Sequence, residues 1–364
     1  MRITKLDGLR GIFSLMMIFY HYEHEYINET FYNFFLFREA YTFVDFFFVF
    51  SGFVIAYNYN VIESTSAFWT YLKKRFARLY PLLFFTAMLM FGLKVLTKMV
   101  FPALETDSFS LLNQELMEAL LMVNSTPLLG KYFGIVSQSW SISSEMISYI
   151  IFGLVVLLFT KARRNYILGL VILGSGIFLW QNEYFFTMSD YGFVRGLISF
   201  SLGYFVWLLS HRKMKLPNGV EYLILPSLLT LFYLLNSLAG VEKQMFGMVT
   251  IPLFFSLVIF ILLKTDGFLS RFLDLKPIQF LGKISYSVYL NHIIIIVLMQ
   301  TFAFDIIKIP QTDVNEIVVF FTCVGITVLF STFTYHYVER RLGKRLRKIL
   351  VNDTMKTAIA PQQR

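Results

Sequence analysis

Long apolar runs separated by short polar segments dominate the chain, and many have the length of a membrane-spanning helix. Ten such runs lie at approximately residues 8–27, 42–60, 79–101, 140–160, 166–182, 193–210, 219–238, 246–264, 283–304 and 316–338. The pattern predicts an all-α polytopic membrane protein with about ten transmembrane helices.

Composition agrees with this prediction. Of the 364 residues, 57% are apolar and 15% are charged, against roughly 45–50% and 25% in a soluble domain. The one cysteine, Cys323, cannot form an internal disulfide. The five histidines are scattered and there is no CxxC or HExxH motif, so we predict no metal site. The first run contains Arg10 and lacks a small-residue cleavage site, which indicates a retained helix rather than a signal peptide.

The basic residues indicate which loops are cytoplasmic. If the N-terminus is inside, 25 of the 32 Lys and Arg residues fall in inner segments, as the positive-inside rule requires. The net charge of +9 would suggest nucleic acid in a soluble protein, but topology accounts for most of it here. We therefore predict cytoplasmic termini, a multi-pass protein of the cell membrane in contact with the lipid bilayer, and no nucleic-acid partner. The predicted domains are an integral-membrane domain at 1–340 and a basic cytoplasmic tail at 341–364.

The first predicted helix carries two ionisable residues on one face. Arg10 and His21 are eleven residues apart, which is about 20° beyond three full turns and roughly 16 Å along the axis. Ionisable side chains inside a membrane are costly and are functional candidates by default. The pair suggests a pathway with a cation near one surface and a base deeper in the bilayer. A snorkelling arginine and a structural histidine are the alternative, which this helix alone leaves open.

Two further segments place charge near this pathway. Asp45 lies near the outer end of the second span, where His21 or a substrate hydroxyl could be its partner. Arg75 and Arg78, in KKRFARLYP, share a face if that segment is helical, and Pro81 then suits the first turn of the third span. Two guanidiniums at the cytoplasmic surface suit phosphates, although ordinary inner-loop charge is the simpler explanation.

The fourth span opens with SQSWSISSEMISY. Glu145 lies several residues inside it, and Ser141 and Tyr149, four residues to either side, share its face. A carboxylate in an apolar environment suits proton traffic. We therefore take Glu145 as a candidate catalytic residue and Ser141 and Tyr149 as candidate substrate-binding residues.

Three other features are weaker. Residues 110–123, in the long outer loop, have helical apolar spacing. His292, which we place in the cytoplasmic half of the ninth span, is more simply a structural hydrogen-bonding residue than a second base. Glu339 is expected to pair with a neighbouring arginine or with one from another loop.

Six stretches together resemble the acyltransferase-3 family of membrane proteins, whose members O-acylate sugars and other extracytoplasmic molecules. They are LDGLRG with Arg10 and His21, VDFFFVFSGFVI, RFARLYP, SWSISSE followed by Tyr149, LGKISYSVYLNH and the closing VER. They span residues 6–340 in family order. The chain departs from the family pattern at Met146 and Asn291, and it ends after the tenth span, which resembles the stand-alone members.

The resemblance implies a membrane O-acyltransferase that uses an acyl-CoA, most often acetyl-CoA, as co-substrate rather than as a permanently bound cofactor. The residues that would hold the CoA phosphates are Arg10, Arg75 and Arg78. His21 would act as general base toward a hydroxyl of an extracytoplasmic carbohydrate or lipid-linked sugar, or would itself carry the acyl group. Glu145 or Asp45 would orient the imidazole or share its proton.

A proton-coupled transporter or exporter of a small acid is the alternative, with His21 and Glu145 as a proton relay. The cytoplasmic arginines favour the enzyme, because CoA binding requires them and a proton relay does not. The sequence leaves open the acceptor, the choice between acetyl, succinyl and other acyl groups, the route of transfer and the oligomeric state.

Overall fold

Helices account for the regular structure of this protein. The computed structural model describes residues 3–128 and 134–359, with side chains as far as residue 351. The α-helices are α1 Thr4–His21, α2 Glu29–Tyr32, α3 Phe35–Arg38, α4 Phe43–Asn58, α5 Thr65–Val100, α6 Phe109–Leu121, α7 Trp140–Leu158, α8 Lys161–Asn182, α9 Gly192–Ser210, α10 Ile224–Ser237, α11 Gly240–Lys264, α12 Phe268–Leu273, α13 Lys276–Gln300, α14 Asp313–Thr334 and α15 Gly343–Ile359. No strand occurs in the described ranges, so the all-α prediction is confirmed.

Nine helical segments among the described residues are long and apolar enough to cross a membrane. The prediction of a multi-pass membrane protein is thereby confirmed. α1 is not among the nine, although it coincides with the first of the ten predicted spans. Its first two turns carry Lys5, Asp7 and Arg10, and charged residues are the costliest ones in a membrane helix.

Two weaker predictions can be compared with the structure. The apolar spacing at residues 110–123 corresponds to a real helix, α6. The predicted basic tail at 341–364 is helical through most of its length, as α15. Residues 360–364 of that tail and residues 129–133 of the long outer loop lie outside the described residues.

α5 begins well before the predicted third span. Its first residue, Thr65, follows Ser64, whose side chain caps the helix. The basic segment is therefore helical, and Pro81 lies inside the helix rather than in its first turn, so that prediction is wrong. Because proline has no N–H, the Ala77 carbonyl loses its intrahelical donor. Gly343 approaches that oxygen so closely that a Cβ on it would lie 3.1 Å away.

The chain forms two compact units. The first unit is Met1–Phe53 with Leu202–Thr332, and the second unit is Val54–Ser201 with Phe333–Arg364. The boundaries between the two units fall within α4, α9 and α14. Each of these three helices therefore contributes residues to both units.

In the first unit, α1 packs along α13 through glycine. A Cβ on Gly11 would lie 2.5 Å from the backbone nitrogen of Gly282 and 2.7 Å from the carbonyl carbon of Leu281. Gly8 makes a similarly close approach to the carbonyl of Leu273, the last residue of α12. Small residues at a helix contact let the two backbones approach this closely. Beside this contact lies a group of packed aromatic rings, Phe13, Phe43, Phe46 and Phe255.

In the second unit, side chains join α5 to α7. The buried hydroxyl of Tyr71 donates to the backbone carbonyl of Tyr149 at 3.0 Å. The rings of Phe68 and Tyr71 lie against Gly153, where a Cβ would be 2.8 Å from each ring. This contact places the aromatic face of α5 beside Tyr149 and Gly153, in the middle of α7.

Candidate active site

Two histidines, one from α1 and one from α13, meet in the first unit. Nε2 of His292 lies 3.1 Å from Nδ1 of His21, and the ring centroids are 4.9 Å apart with their planes at 49°. His292 is fully buried and His21 is half-buried. Nδ1 of His21 also lies 3.0 Å from the Met17 carbonyl oxygen, and Nδ1 of His292 lies 3.2 Å from that of Val288.

These contacts assign the ring tautomers. A carbonyl oxygen only accepts hydrogen bonds, so the ring nitrogen that faces it carries the proton in the neutral imidazole. His292 therefore donates from Nδ1 to Val288, and its Nε2 accepts from the Nδ1–H of His21, which the Met17 carbonyl shares. The remaining nitrogen, Nε2 of His21, carries an unshared electron pair. That atom can take a proton, and His292 can stabilise the resulting imidazolium through the hydrogen bond at Nδ1.

Glycines bring the histidines to one level. Gly11 precedes His21 by ten residues, and Gly282 precedes His292 by ten. Because Gly11 and Gly282 touch and the two helices run parallel, equal steps along each helix end at the same height. His292 therefore lies level with His21 along the two helices.

Arg10 and Asp45 are the other candidates in the first unit. Nη1 of Arg10 lies 3.5 Å from Oδ1 of Asp7, one turn earlier in α1, and its guanidinium carbon is 5.5 Å from the ring centroid of Phe50. Asp45 is fully buried in α4. α1 is a single uninterrupted helix, so the helical premise for placing Arg10 and His21 on one face holds.

In the second unit, Glu145 and Tyr149 share a face of α7, as their spacing predicts. The Tyr149 hydroxyl donates to Glu145 Oε1, one turn earlier. The Ser141 hydroxyl donates to the Gln138 carbonyl at 3.0 Å, which is a local bond at the start of the helix. Glu145 is half-buried, whereas Ser141 and Tyr149 are buried. α7 therefore presents a carboxylate and a phenol as one hydrogen-bonded group.

Arg75 and Arg78 have different partners, although both lie on α5. Arg78 forms an ion pair with Glu339, whose side chain is 2% exposed. Of the two predicted alternatives for Glu339, a neighbouring arginine or one from another segment, the structure shows the second. Arg75 stacks on the ring of Tyr59, 5.2 Å from its centroid, and donates to its hydroxyl at 3.4 Å. Arg75 has no carboxylate partner in the described part of the chain, so it is better placed to bind an anion than Arg78.

Sequence reasoning missed two tyrosines of the second unit. The ring of Tyr59, which holds Arg75, lies 4.9 Å from that of Tyr71, and the Tyr71 hydroxyl reaches the Tyr149 backbone. A continuous set of contacts thus leads from Arg75 to the Glu145–Tyr149 group. No local pattern could reveal it, because the contacts join residues far apart in the chain. The histidine pair did leave a signal, the same glycine-to-histidine spacing in two spans.

Comparison with known proteins identifies relatives over most of the chain. A Staphylococcus aureus strain COL protein named "Putative O-acetyltransferase" is 25% identical over 94% of this chain and 57% of that protein. O-acetyltransferase OatA of S. aureus strain NCTC 8325 is 24% identical over 93% of this chain and 57% of its own length. A Rhizobium radiobacter protein named "Protein 2 in picA locus" is 39% identical over 22% of this chain and 40% of that protein.

The chain thus spans 57% of the length of the two staphylococcal relatives. No solved structure matches it. Residues 3–336 match the family described as an acyltransferase domain, acyltransferase-3. The matched region includes both histidines, the arginines of α5 and the Glu145–Tyr149 group. With this match over nearly its whole length and its multi-pass helical fold, the chain belongs to the acyltransferase-3 family of membrane proteins.

Proposed function

We propose that the protein is a cell-membrane O-acyltransferase that moves an acyl group, most simply acetyl, from cytoplasmic acyl-CoA to a hydroxyl of an extracytoplasmic sugar or glycan. Family membership and the O-acetyltransferase names of its relatives support the acyl chemistry. The observation that carries the proposal is the histidine pair, because the contacts of His21 and His292 leave an electron pair on Nε2 of His21.

In the proposed reaction, Nε2 of His21 removes the proton of the acceptor hydroxyl as its oxygen attacks the thioester carbon. The carbon–sulfur bond breaks, CoA leaves as thiolate, and the His21 imidazolium returns the proton to the sulfur. The products are the acyl ester and free CoA thiol. His292 stays neutral and accepts from Nδ1 of His21 while the positive charge exists. A base oriented by a hydrogen-bonded partner is the recurring arrangement in acyl transfer.

An acyl-histidine is the second route, with the acyl group carried on Nε2 of His21 before the hydroxyl attacks. Asp45 and Glu145 keep their proposed role of sharing the proton of His21. Tyr149 keeps its proposed role as a contact to the acceptor. Ser141, whose hydroxyl donates within its own helix start, is the weakest of the proposed substrate contacts.

On the donor side, Arg75 is the principal candidate for binding the CoA phosphates. A guanidinium stacked on an aromatic ring is held in place while its N–H donors remain available to phosphate. Arg10 is a further candidate, although its local ion pair with Asp7 must be shared. Arg78 would have to give up Glu339.

This difference gives a test of the donor site. We expect Arg75→Met to raise the KM for acetyl-CoA about tenfold, the effect of losing one charged hydrogen bond, with little change in stability. Arg78→Met should instead lower the melting temperature, because it leaves the buried Glu339 carboxylate without its counter-ion. An unchanged KM in Arg75→Met, or equal effects of the two changes, would remove Arg75 from its role.

The activity itself is tested by supplying radiolabelled acetyl-CoA to the cytoplasmic face of membranes. His21→Ala should lower transfer to extracytoplasmic glycan by about 10²–10⁴-fold, the usual contribution of a general base. His292→Ala should lower kcat by less and leave the KM for acetyl-CoA unchanged. His211→Ala is the matched control, since His211 makes the same ring-to-carbonyl contact, with Trp207 at 2.8 Å, but is exposed.

Equal transfer by wild type and His21→Ala would refute the proposed base. Proton flux that depends on a small acid and needs no acyl-CoA would replace the enzyme with a transporter. Label that stays on the protein in wild type and is lost in His21→Ala would favour the acyl-histidine route over direct transfer.

A further inference from the structure

A buried ion pair lies in the first unit at the end of α1 that carries His21. Nζ of Lys243, in the first turn of α11, lies 2.6 Å from Oε1 of Glu39. The Glu39 side chain is 2% exposed and that of Lys243 is 24% exposed. The pair belongs to loops predicted to be extracytoplasmic. We propose that Lys243, Glu39 and Tyr41 form a binding subsite for the acceptor, and that the acceptor is a neutral oligosaccharide rather than a single sugar or a small alcohol.

Both charges occupy unfavourable positions. A lysine in the first turn of a helix faces the positive end of the helix dipole. Glu39 is buried, and its second oxygen, Oε2, has no hydrogen-bond partner among the described residues. An ion pair taken out of water adds little net stability, and an unpartnered buried oxygen lowers it. Local costs of this kind accumulate at functional sites, where an interaction absent from the free protein compensates for them.

Aromatic rings connect the pair to His21. Nζ of Lys243 is 5.9 Å from the ring centroid of Tyr41. Tyr41 lies 5.3 Å from the ring of Tyr20, and Tyr20 lies 4.8 Å from that of His21. Tyr20, Tyr41 and His21 are all half-buried rather than enclosed. Two tyrosine rings thus lie along this series of contacts between His21 and Lys243. A ligand that follows the series from His21 to Lys243 extends across both rings, which is further than one sugar unit provides.

The chemistry of the subsite indicates the class of ligand. The Lys243 ammonium has three N–H donors and uses one on Glu39, so it can donate to a hydroxyl oxygen. Oε2 of Glu39 can accept from a hydroxyl that enters beside the lysine. The face of Tyr41 offers an apolar surface for the C–H side of a sugar ring. Because the two charges balance, an anionic or cationic ligand would meet one unfavourable charge, and a neutral polyhydroxylated chain meets none.

If the ion pair has a purely structural role, the expected results differ, and a double substitution distinguishes this role from acceptor binding. Removing one partner of a buried pair leaves an uncompensated charge and is destabilising, whereas replacing both is close to neutral. If the pair only holds α11 to the preceding loop, Glu39→Gln/Lys243→Met should restore both the melting temperature and the kinetics. If the pair binds acceptor, the double variant should restore the melting temperature alone.

The experiment rests on the proposed acyl transfer and uses the full chain in membrane vesicles with radiolabelled acetyl-CoA. The acceptor probes are N-acetylglucosamine and its tetrasaccharide. For wild type we expect a KM at least tenfold lower for the tetrasaccharide. Lys243→Met, Glu39→Gln and the double variant should raise that KM about tenfold, and leave the KM for the monosaccharide and for acetyl-CoA unchanged. Glu242→Gln, an exposed neighbour, is the matched control.

Each other outcome overturns the proposal. Kinetics unchanged in the variants would show that the pair does not touch acceptor, and equal effects on both probes would assign it a structural role. If wild type acetylates neither probe, the oligosaccharide class is wrong. In that case the proposed acyl transfer is tested separately, by comparing the labelling of endogenous acceptors in the same vesicles between wild type and His21→Ala.

Discussion

The α1–α13 contact of the first unit and the α5–α7 contact of the second unit both depend on glycine, but the two glycines face different things. A Cβ on Gly11 would meet the backbone of α13, and a Cβ on Gly153 would meet the ring edges of Phe68 and Tyr71. A helix backbone cannot yield without moving the whole helix, whereas a ring can shift by a few tenths of an ångström. The first contact should therefore be far less tolerant of substitution than the second.

The candidate functional groups of the two units also differ in how far they depend on helix packing. His21 and His292 come from different helices, so their 3.1 Å contact depends on where α1 lies against α13. Glu145 and Tyr149 are one turn apart in α7, so their contact survives any movement of the helix as a whole. Substitutions that disturb helix packing should therefore disrupt the His21–His292 contact more readily than the Glu145–Tyr149 contact.

Among the substitutions that test this comparison, Gly11→Ala should have the largest effect. The added methyl group must separate α1 from α13, which pulls His21 away from His292. A displacement of about 1 Å at a reacting group costs on the order of 10²-fold in rate, so acetyl transfer should fall by at least that much. Gly174→Ala is the control, because a Cβ there meets no atom within 4 Å. Full activity in Gly11→Ala would show that the glycine contact does not set the histidine geometry.

Gly153→Ala should have an intermediate effect. We expect a loss of about 1–3 kcal/mol in stability from overpacking against the two rings, and acetyl transfer within a few-fold of wild type. Tyr71→Phe should cost about 0.5–1.5 kcal/mol by removing the hydrogen bond to the Tyr149 carbonyl. Thermal unfolding in detergent measures both. A loss of activity as large as that of Gly11→Ala would contradict the comparison between the two contacts.

The smallest effect concerns Glu118 of α6, a further group of the second unit. Burial raises the pKa of its carboxyl group, partly offset by the hydrogen bond from Gln114. The folded protein therefore holds this proton more tightly than the unfolded chain, and the resulting stability is lost as pH rises through the raised pKa. Glu118→Gln should raise the melting temperature by about 1–3 °C at neutral pH, and the gain should vanish toward pH 4. A gain independent of pH would exclude this charge as its cause.

Much of the fold could be predicted because membrane helices are long and continuously apolar. Nine of the ten predicted runs correspond to spanning segments in the described ranges, and the spacing at residues 110–123 predicted α6. The start of α5 was missed because its first turns are polar and carry the basic segment, and the proline then resembled a helix start. Helical propensity and a Ser64 cap extend the helix beyond the apolar run, and a hydropathy pattern does not register either.

The candidate site was only partly predictable. Residues within one helix, such as Glu145 and Tyr149, follow from the 3.6-residue period. The sequence predicts that Glu339 pairs with an arginine, but it does not identify Arg78 as that arginine. Nothing in the sequence distinguishes Arg78 from Arg75. That distinction depends on which segment packs beside each guanidinium, and these segments are far apart in the chain.

The helical membrane architecture, the family and the presence of a histidine on the first helix could all be predicted from the sequence, because apolar length and local motifs are properties of contiguous residues. The contacts of that histidine depend on how the helices pack in three dimensions. Contact between Gly11 and Gly282 brings His292 to Nδ1 of His21 and leaves Nε2 as the proposed base. The same holds for Lys243 and Glu39, which lie 204 residues apart. Such contacts depend on the relative height and rotation of packed helices, which no stretch of sequence encodes alone.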